Sequence, residues 1–158
     1  MSRFEVKIEK TPSVWNLNVV GVIDEDARFE DFKIVGAPAL NINMSGVKSI
    51  NSCGIREWIV WIGTAGSVTI ELHECPKVIV DQINMVQGFL PPQGKVASFF
   101  VPYYSEETGS EKAVLYRFGK EFSDKGLQGV PDVKDDTGQP MEIDVVEAKY
   151  FKFLQKSG

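Results

Sequence analysis

The sequence of 158 residues contains only two cysteines and one histidine. Cys53 and Cys75 lie in different predicted secondary-structure elements, and one pair of cysteines is too few for the disulfide framework of a small secreted domain. The low cysteine content therefore favours reduced thiols and predicts a cytoplasmic location.

Long apolar runs are also lacking. Charged residues or glycines interrupt every hydrophobic stretch before it reaches the roughly 18–20 residues that a membrane-spanning helix requires. The N-terminal residues alternate polar and apolar side chains instead of forming the apolar segment of a signal peptide. The 17 lysines and arginines are scattered among 22 acidic residues, whereas duplex nucleic acid is bound by clustered basic groups. The sequence therefore predicts that the protein binds neither nucleic acid nor a membrane.

The common catalytic motifs are missing, since there is no serine-nucleophile elbow, phosphate-binding loop, zinc-protease helix or dinucleotide fingerprint. His73 lies near Glu71, Glu74 and Cys75 in the sequence, and Cys53 is expected at the same end of the sheet. These groups are a weak candidate for a Cys–His pair or a metal site, because a strand end with half-buried thiols is the commoner arrangement. The sequence predicts a protein that is not an enzyme and needs no metal or other cofactor.

Apolar residues make up 43% of the chain, which is enough for one domain with a buried core and a smaller appendage. Strand and helix patterns alternate over residues 13–104, as in βα units, and a preceding strand adds a hairpin at the edge. The predicted fold class is α/β, with a mixed, largely parallel sheet in residues 1–104 and a small β appendage in residues 105–158. The predicted strands cover residues 4–9, 14–23, 40–47, 68–72 and 96–104, and the predicted helices cover residues 27–33, 55–62 and 76–87.

Two short motifs resemble those of a known family. Residues 21–24, Gly-Val-Ile-Asp, precede a short acidic helix. Residues 50–55, Ile-Asn-Ser-Cys-Gly-Ile, are similar to the Asp-Ser-Ser-Gly-Leu turn that begins the second helix of STAS domains. With the order of elements over residues 4–104, these motifs resemble the STAS family of sulphate transporters and anti-sigma-factor antagonists. The resemblance implies a STAS-like fold and a role in signal transduction, as a regulatory protein-binding module similar to an anti-sigma-factor antagonist.

The resemblance also implies a phosphorylation site. In antagonists of this family, a serine kinase that is also the anti-sigma factor phosphorylates the first serine of the turn, and Ser52 occupies that position. Asn51 replaces the usual acid and Cys53 replaces the second serine. The turn therefore differs from the one that such a kinase recognises.

The chemistry of this turn can also be considered without the resemblance. A serine at the start of a helix lies beside backbone N–H groups that have no partner, and the helix dipole favours a phosphate there. Arg56 is one helical turn from Ser52 and is placed to pair with such a phosphate, while Gly54 leaves room for close approach. The alternative is that Asn51 or Ser52 is simply the N-cap of the helix.

The helix that follows is predicted to bury one face, because four apolar residues between positions 55 and 62 form a stripe of the usual width. Val60 and Trp61 fall outside this stripe and are expected to face outward. A protein partner is expected to contact Asn51, Cys53, Gly54, Arg56, Val60 and Trp61. The alternative is a constitutive scaffold subunit of a multiprotein assembly, which binds through Trp61, Met85 and the C-terminal extension. The sequence leaves open whether the chain forms a homodimer.

The C-terminal extension repeats an x-x-x-Thr-Gly pattern at residues 105–109 and 134–138. The layout resembles a zinc ribbon, but the cysteines are replaced by residues that bind zinc poorly. The replacements are Ser105, Thr108, Lys134 and Thr137. We interpret the extension as a ribbon-like unit that has lost its metal, with an unrelated β extension as the alternative. Its aromatic residues are expected to dock on the first domain. The candidate landing surface, either for the extension or for another protein, comprises Val60, Trp61, Val78 and Met85.

Overall fold

The computed structural model describes residues 3–154. Its larger sheet has five strands, which lie side by side in the order in which they occur along the chain. The first two strands are antiparallel, and every later pair of neighbours is parallel. The predicted α/β class, with a mixed, partly parallel sheet and a hairpin at its edge, is therefore confirmed. The strands are β1 (Glu5–Lys10), β2 (Trp15–Ile23), β3 (Leu40–Ile50), β4 (Ile70–His73) and β5 (Gly94–Val96).

Two helices connect the parallel strands, α1 (Ser52–Gly63) and α2 (Lys77–Met85). Because successive strands are added in one direction, right-handed connections place both helices on the same face of the sheet. Alternate side chains of the central strands are buried against them, including Leu17, Ile42 and Leu72. Among residues 3–154, no helix combines the length and the hydrophobicity that crossing a bilayer requires.

The short helix predicted over residues 27–33 is instead a single 3₁₀ turn, Phe29–Asp31. A 3₁₀ helix has three residues per turn, so Phe29 and Phe32 still lie on the same side of the chain. The rings of both residues contact the ring of Phe4, with centroids 4.7 and 5.8 Å apart. A single turn is therefore sufficient to pack both rings against Phe4, although the sequence pattern predicts a longer helix.

The apolar run over residues 96–104 is divided between two sheets. Ala97 is the junction, because its N–H donates to the Leu72 carbonyl at 2.7 Å and its carbonyl accepts from the Phe118 N–H at 2.9 Å. The strand that follows, β6 (Ser98–Tyr104), belongs to a second, four-stranded sheet. The sheet of the C-terminal extension thus begins before the predicted boundary at residue 104.

The second sheet is antiparallel and has the order β10-β11-β6-β7. A separate two-stranded hairpin, β8 with β9, lies between β7 and β10 in the sequence. The chain then forms a short helix, α3, and ends the described part with a 3₁₀ turn. The elements are β7 (Glu111–Arg117), β8 (Phe122–Ser123), β9 (Gly126–Leu127), β10 (Val133–Lys134), β11 (Pro140–Ile143), α3 (Glu147–Tyr150) and the turn Lys152–Leu154.

The C-terminal segment packs against α2 and β6. The Asn84 side chain of α2 donates to the Tyr150 carbonyl and accepts from the Phe153 N–H, both at 2.8 Å. The rings of Tyr150, Phe151 and Phe153 have centroids 5.1 to 6.2 Å from that of Phe99. The aromatic residues therefore pack against Phe99, in the extension's own sheet, and α2 provides polar contacts through Asn84. The expected landing surface is not covered at Val60 and Met85, which remain 62% and 71% exposed.

Candidate functional site

The N-terminus of α1 is capped by Asn51 and not by Ser52. The Asn51 Oδ1 accepts a hydrogen bond from the Gly54 N–H at 2.9 Å, and the Asn51 N–H donates to the Ile23 carbonyl at 3.1 Å. Ser52 is the first helical residue and is exposed. Its hydroxyl has no hydrogen-bond partner among residues 3–154. Because Asn51 forms the cap, the Ser52 hydroxyl is available for other chemistry.

Gly54 fits α1 against the end of β2. It is buried, and a Cβ placed on it would lie 2.1 Å from the Ile23 carbonyl oxygen, much closer than atoms pack in a protein interior. The space that glycine leaves is therefore filled by β2, and the expectation that Gly54 contacts a partner is wrong. The same close approach brings the loop that follows Ile23 beside the start of α1.

An acidic loop follows β2 and contacts the Ser52 turn. The Asn51 Nδ2 donates to the Glu25 Oε1 at 2.9 Å, so Asn51 connects the loop to the helix. A backbone hydrogen bond, and after it the bond from Asn51, lower the pKa of Glu25 and favour its ionised form. Asp24 and Asp26 flank this carboxylate in the sequence. The turn therefore has negative charge on one side.

Ser52, Arg56 and Val60 are spaced four residues apart and so share one face of α1. All three are exposed, and 62% of Val60 is accessible. Arg56 makes no ion pair or hydrogen bond within the described part of the chain. We call these three residues the α1 stripe; Cys53, next to Ser52, is half-buried. The stripe joins a hydroxyl, a positive charge and an apolar side chain on one open surface.

Trp61, which was expected to face outward, is buried and only 5% exposed. Its indole N–H donates to the Phe32 carbonyl at 2.7 Å, and its ring lies against Phe29 with centroids 4.8 Å apart. The prediction is wrong because it assumes that α1 is covered on one side only, by the sheet. The 3₁₀ turn covers a second side of the helix, and Trp61 lies on that side. Val60, the preceding residue, is exposed as expected.

The candidate Cys–His site is not assembled. β4 ends at His73, and Glu74 adopts a left-handed conformation, φ 52°, after which Cys75 enters the core. His73 remains half-exposed, with its Nε2 3.2 Å from the Glu71 carboxylate. Burial raises the pKa of the Cys75 thiol, which makes this cysteine unreactive. In the described ranges, no three His, Cys, Asp or Glu side chains are grouped so as to hold a metal ion.

Asparagines on the open face of the larger sheet form a polar cluster that the sequence analysis does not identify. The Asn41 Nδ2 donates to the Asn16 Oδ1 at 3.2 Å, and the Asn43 Nδ2 donates to the Glu74 Oε2 at 3.0 Å. Together with Asn18, these residues line a shallow cavity of about 270 Å³. The sequence does contain an indication of this cluster, since asparagine occurs at every second position in β2 and in β3. It does not show, however, that the two strands are neighbours.

The two Thr-Gly turns of the C-terminal extension meet at Asp135. Its Oδ2 accepts from the Thr108 hydroxyl at 2.6 Å, and its Oδ1 accepts from the Thr137 hydroxyl at 2.7 Å. Of the other two ribbon-like positions, Ser105 is buried and Lys134 is exposed. A carboxylate with hydrogen-bond donors therefore joins the two Thr-Gly turns. The turn pattern did not indicate Asp135, because it lies between the ribbon-like positions.

The hydrogen bonds to Asp135, first of all that from Thr108, lower its pKa below the ordinary value of 3.8. Because the folded protein holds the ionised carboxylate by hydrogen bonds, the stabilisation from Asp135 is fully present above about pH 5 and is lost progressively as the pH falls below the ordinary pKa. We expect the urea concentration at the midpoint of unfolding to fall between about pH 6 and about pH 3, and to fall further for the wild type than for Asp135→Asn. Equal decreases in the two proteins would contradict a stabilising role for the ionised carboxylate.

Comparisons of the chain with protein-family models, with curated proteins and with solved structures find no match. The function is therefore inferred from the α1 stripe, from its acidic neighbour and from the resemblance of residues 50–55.

Proposed function

We propose that the protein is a non-enzymatic regulatory module of STAS-like fold, which binds a protein partner through the α1 stripe and is switched by phosphorylation of Ser52. The observation that carries this proposal is the exposed Ser52 hydroxyl at the first position of α1, left without a hydrogen bond among the described residues because Asn51 forms the cap. The edge hairpin, the mixed sheet and the order of the two helices support a STAS-like fold.

Phosphorylation would change the charge of the turn where groups of both signs are close. A partner kinase would transfer the terminal phosphoryl group of ATP to the Ser52 oxygen, releasing ADP and the hydroxyl proton. The added charge is stabilised by the N–H groups of the first helical turn and by Arg56. It is repelled by Glu25, which Asn51 holds beside the turn. Phosphorylation would therefore favour contact with Arg56 over the contact between Asn51 and Glu25, and change the surface that a partner meets.

Val60 supplies the apolar part of the proposed contact. An exposed valine gains free energy when a partner removes it from water, and arginine is enriched where protein surfaces meet. Because Ser52, Arg56 and Val60 lie in one line, a single partner element can cover all three. The charge on Ser52 then acts directly on that interface.

Phosphorylation of Ser52 is the first expected result. The purified protein, incubated with ATP and a lysate of its native host, should gain one phosphoryl group on Ser52, as detected by mass spectrometry of the recovered chain. Ser52→Ala is the control that identifies the acceptor among the other hydroxyl side chains. A switch at Ser52 is excluded if the residue remains unmodified and Ser52→Asp captures the same partner with unchanged affinity.

Partner binding is tested with a second substitution. In a pull-down assay, Val60→Glu should recover about tenfold less of the partner than the wild type, or still less, because it places a charge in the apolar part of the interface. Val130→Glu is the matched control, since Val130 is also an exposed valine, 53% accessible, but belongs to the C-terminal extension. Equal capture by the two variants would show that the α1 stripe is not the contact surface. Trp61→Glu is unsuitable here, because that side chain is buried.

The scaffold alternative has one observation in its favour. Met85 is 71% exposed and lines a surface groove with Val146 and Lys149, between α2 and the C-terminal segment. Trp61 does not contribute to this face, because it is buried. Loss of capture by Met85→Glu, with capture by Val60→Glu intact, would favour a constitutive interface over the switch.

A further inference from the structure

β7 is the edge strand of the smaller sheet. Two hydrogen bonds bracket its pairing with β6: the Ser105 N–H donates to the Ser110 carbonyl, and the Phe118 N–H donates to the Ala97 carbonyl, both at 2.9 Å. Residues 110 and 118 therefore direct their backbone groups towards the β6 side. Because this direction alternates along an antiparallel strand, the even-numbered residues of β7 also bond to β6 and the odd-numbered residues point away from it.

The outward backbone groups of β7 are unpaired over a short stretch. The N–H and carbonyl groups of Glu111, Ala113 and Leu115 have no hydrogen-bond partner in the part of the chain that the structure describes. Arg117 ends this stretch, because its N–H donates to the Glu121 carboxylate at 2.7 Å. An open strand edge of this kind is a template for another strand.

The sequence of side chains along this edge is self-complementary when a second copy runs in the opposite direction. Side-chain direction alternates along β7, so Glu111, Ala113, Leu115 and Arg117 share the face opposite the buried Tyr116. This face has the order acid, apolar, apolar, base. A second β7 strand in the antiparallel direction has the reverse order, so that each acid faces a base and the apolar residues face each other.

We propose that β7 pairs with β7 of a second copy of this chain, antiparallel and centred on Val114. Two four-stranded sheets then become one continuous sheet across a twofold axis. At each end of the pairing, Glu111 of one copy faces Arg117 of the other. In the middle, Ala113 and Leu115 exchange backbone hydrogen bonds with the second copy, and these bonds use donors and acceptors that have no partner within the described chain.

A second copy fits this edge better than an unrelated extended peptide does. Any strand can satisfy the backbone, but the charges require a base and an acid at the spacing found in β7 itself. Both charged groups are available for such a contact. Within the described residues Glu111 has no ion pair, and the Arg117 Nε lies 3.9 Å from the Glu121 Oε1, at the outer limit of one.

The dimer is independent of the function proposed for Ser52. β7 belongs to the smaller sheet, whereas α1 connects strands of the larger sheet. A protein that dimerises normally but is never phosphorylated would contradict the switch alone. A phosphorylated protein that remains a monomer would contradict the dimer alone.

Sedimentation equilibrium of the full-length protein over a range of concentrations tests this pairing. The wild type should form a reversible dimer, and Glu111→Arg or Arg117→Glu should each raise the dissociation constant about tenfold or more, because each creates two like-charge contacts per dimer. The double variant exchanges the charges and should return the constant to within about threefold of the wild type. A monomeric wild type, or a double variant as weak as the single variants, would overturn the proposal.

Cross-linking gives a second measurement that does not depend on charge. In the proposed register Val114 faces its own copy as a non-hydrogen-bonded pair, with Cα atoms about 4.5 Å apart, within the range of a disulfide. Under mild oxidation Val114→Cys should form a covalent dimer faster than the wild type and than Val130→Cys, a control on an exposed loop. Equal cross-linking of the two cysteine variants would rule out this register.

Discussion

Replacing Gly54 with alanine should lower the free energy of unfolding by about 3 kcal/mol or more. The added Cβ would lie 2.1 Å from the carbonyl oxygen of Ile23 and 2.7 Å from its carbonyl carbon. These are backbone atoms at the end of a central strand and cannot rotate away. Either α1 moves off β2, which opens the core, or Ile23 moves and its hydrogen bond from Asn51 is lost. Urea denaturation followed by tryptophan fluorescence measures the change.

Gly63→Ala is the matched control, because Gly63 lies in the same helix and an added Cβ there would have no atom within 4 Å beyond its own helical neighbours. Alanine should stabilise the protein there by about 0.5–1 kcal/mol, since it loses less backbone freedom than glycine on folding. The two substitutions are therefore expected to have opposite signs. A small or favourable effect at Gly54 would mean that α1 and β2 are not in close contact, and would also weaken the placement of the acidic loop beside Ser52.

Replacing Phe99 with alanine should destabilise the protein by about 3–5 kcal/mol. Phe99 is fully buried in β6, and its ring lies near those of Phe122 and Phe153, with centroids 5.1 Å from each. Phe99 also forms a parallel β-bridge with Cys75, which follows the end of β4 in the larger sheet. The substitution would leave a cavity where the smaller sheet, the C-terminal segment and the end of β4 meet, and the surrounding rings can fill it only partly. The loss is measured by chemical denaturation and by near-ultraviolet circular dichroism.

Phe118→Ala is the control for this prediction. Phe118 is the same residue type but is 36% exposed, and its ring contacts the Lys95 side chain, whose Nζ lies 3.4 Å from the ring centroid. Its removal should cost about 1 kcal/mol, in keeping with a partly exposed contact. Similar losses for the two substitutions would show that the cluster around Phe99 does not hold the extension to the rest of the fold.

Much of the larger sheet could be predicted from the sequence, because its elements have strong local patterns. The alternation of Leu40, Ile42 and Met44 with polar residues predicts β3, and all three apolar residues are buried in the structure. The turn before α1 contains several capping residues, and Asn51 is one of the two candidate caps. These predictions succeed because period-two burial and helix capping are decided by residues close together in the sequence.

The parts that could not be predicted depend on contacts between distant residues. The run that contains Ala97 is continuous in the sequence, and only its hydrogen bonds to Leu72 and Phe118 divide it between two sheets. Trp61 is buried by the 3₁₀ turn, which lies about thirty positions earlier in the sequence. Asp135 is bound by Thr108 from the other turn, and no local pattern identifies an acceptor for a donor so far away.

For the candidate site, the sequence identifies the hydroxyl but not its surroundings. Ser52, Arg56 and Val60 are exposed as expected, because helical spacing alone places them on one face. The burial of Gly54 against Ile23 and the bond from Asn51 to Glu25 could not be predicted, since both require the end of β2 to meet the start of α1. The acidic side of the turn is therefore a structural finding.

Ala97 also affects how the two sheets can move. Its peptide groups bond to Leu72 in one sheet and to Phe118 beside the other, and the next residues continue directly into β6. Sliding either sheet along the strand direction would break one of these bonds, so the connection resists shear between the two sheets. A load applied to the outer edge at β7 would consequently reach β4 through a few main-chain atoms, with no flexible linker to absorb it.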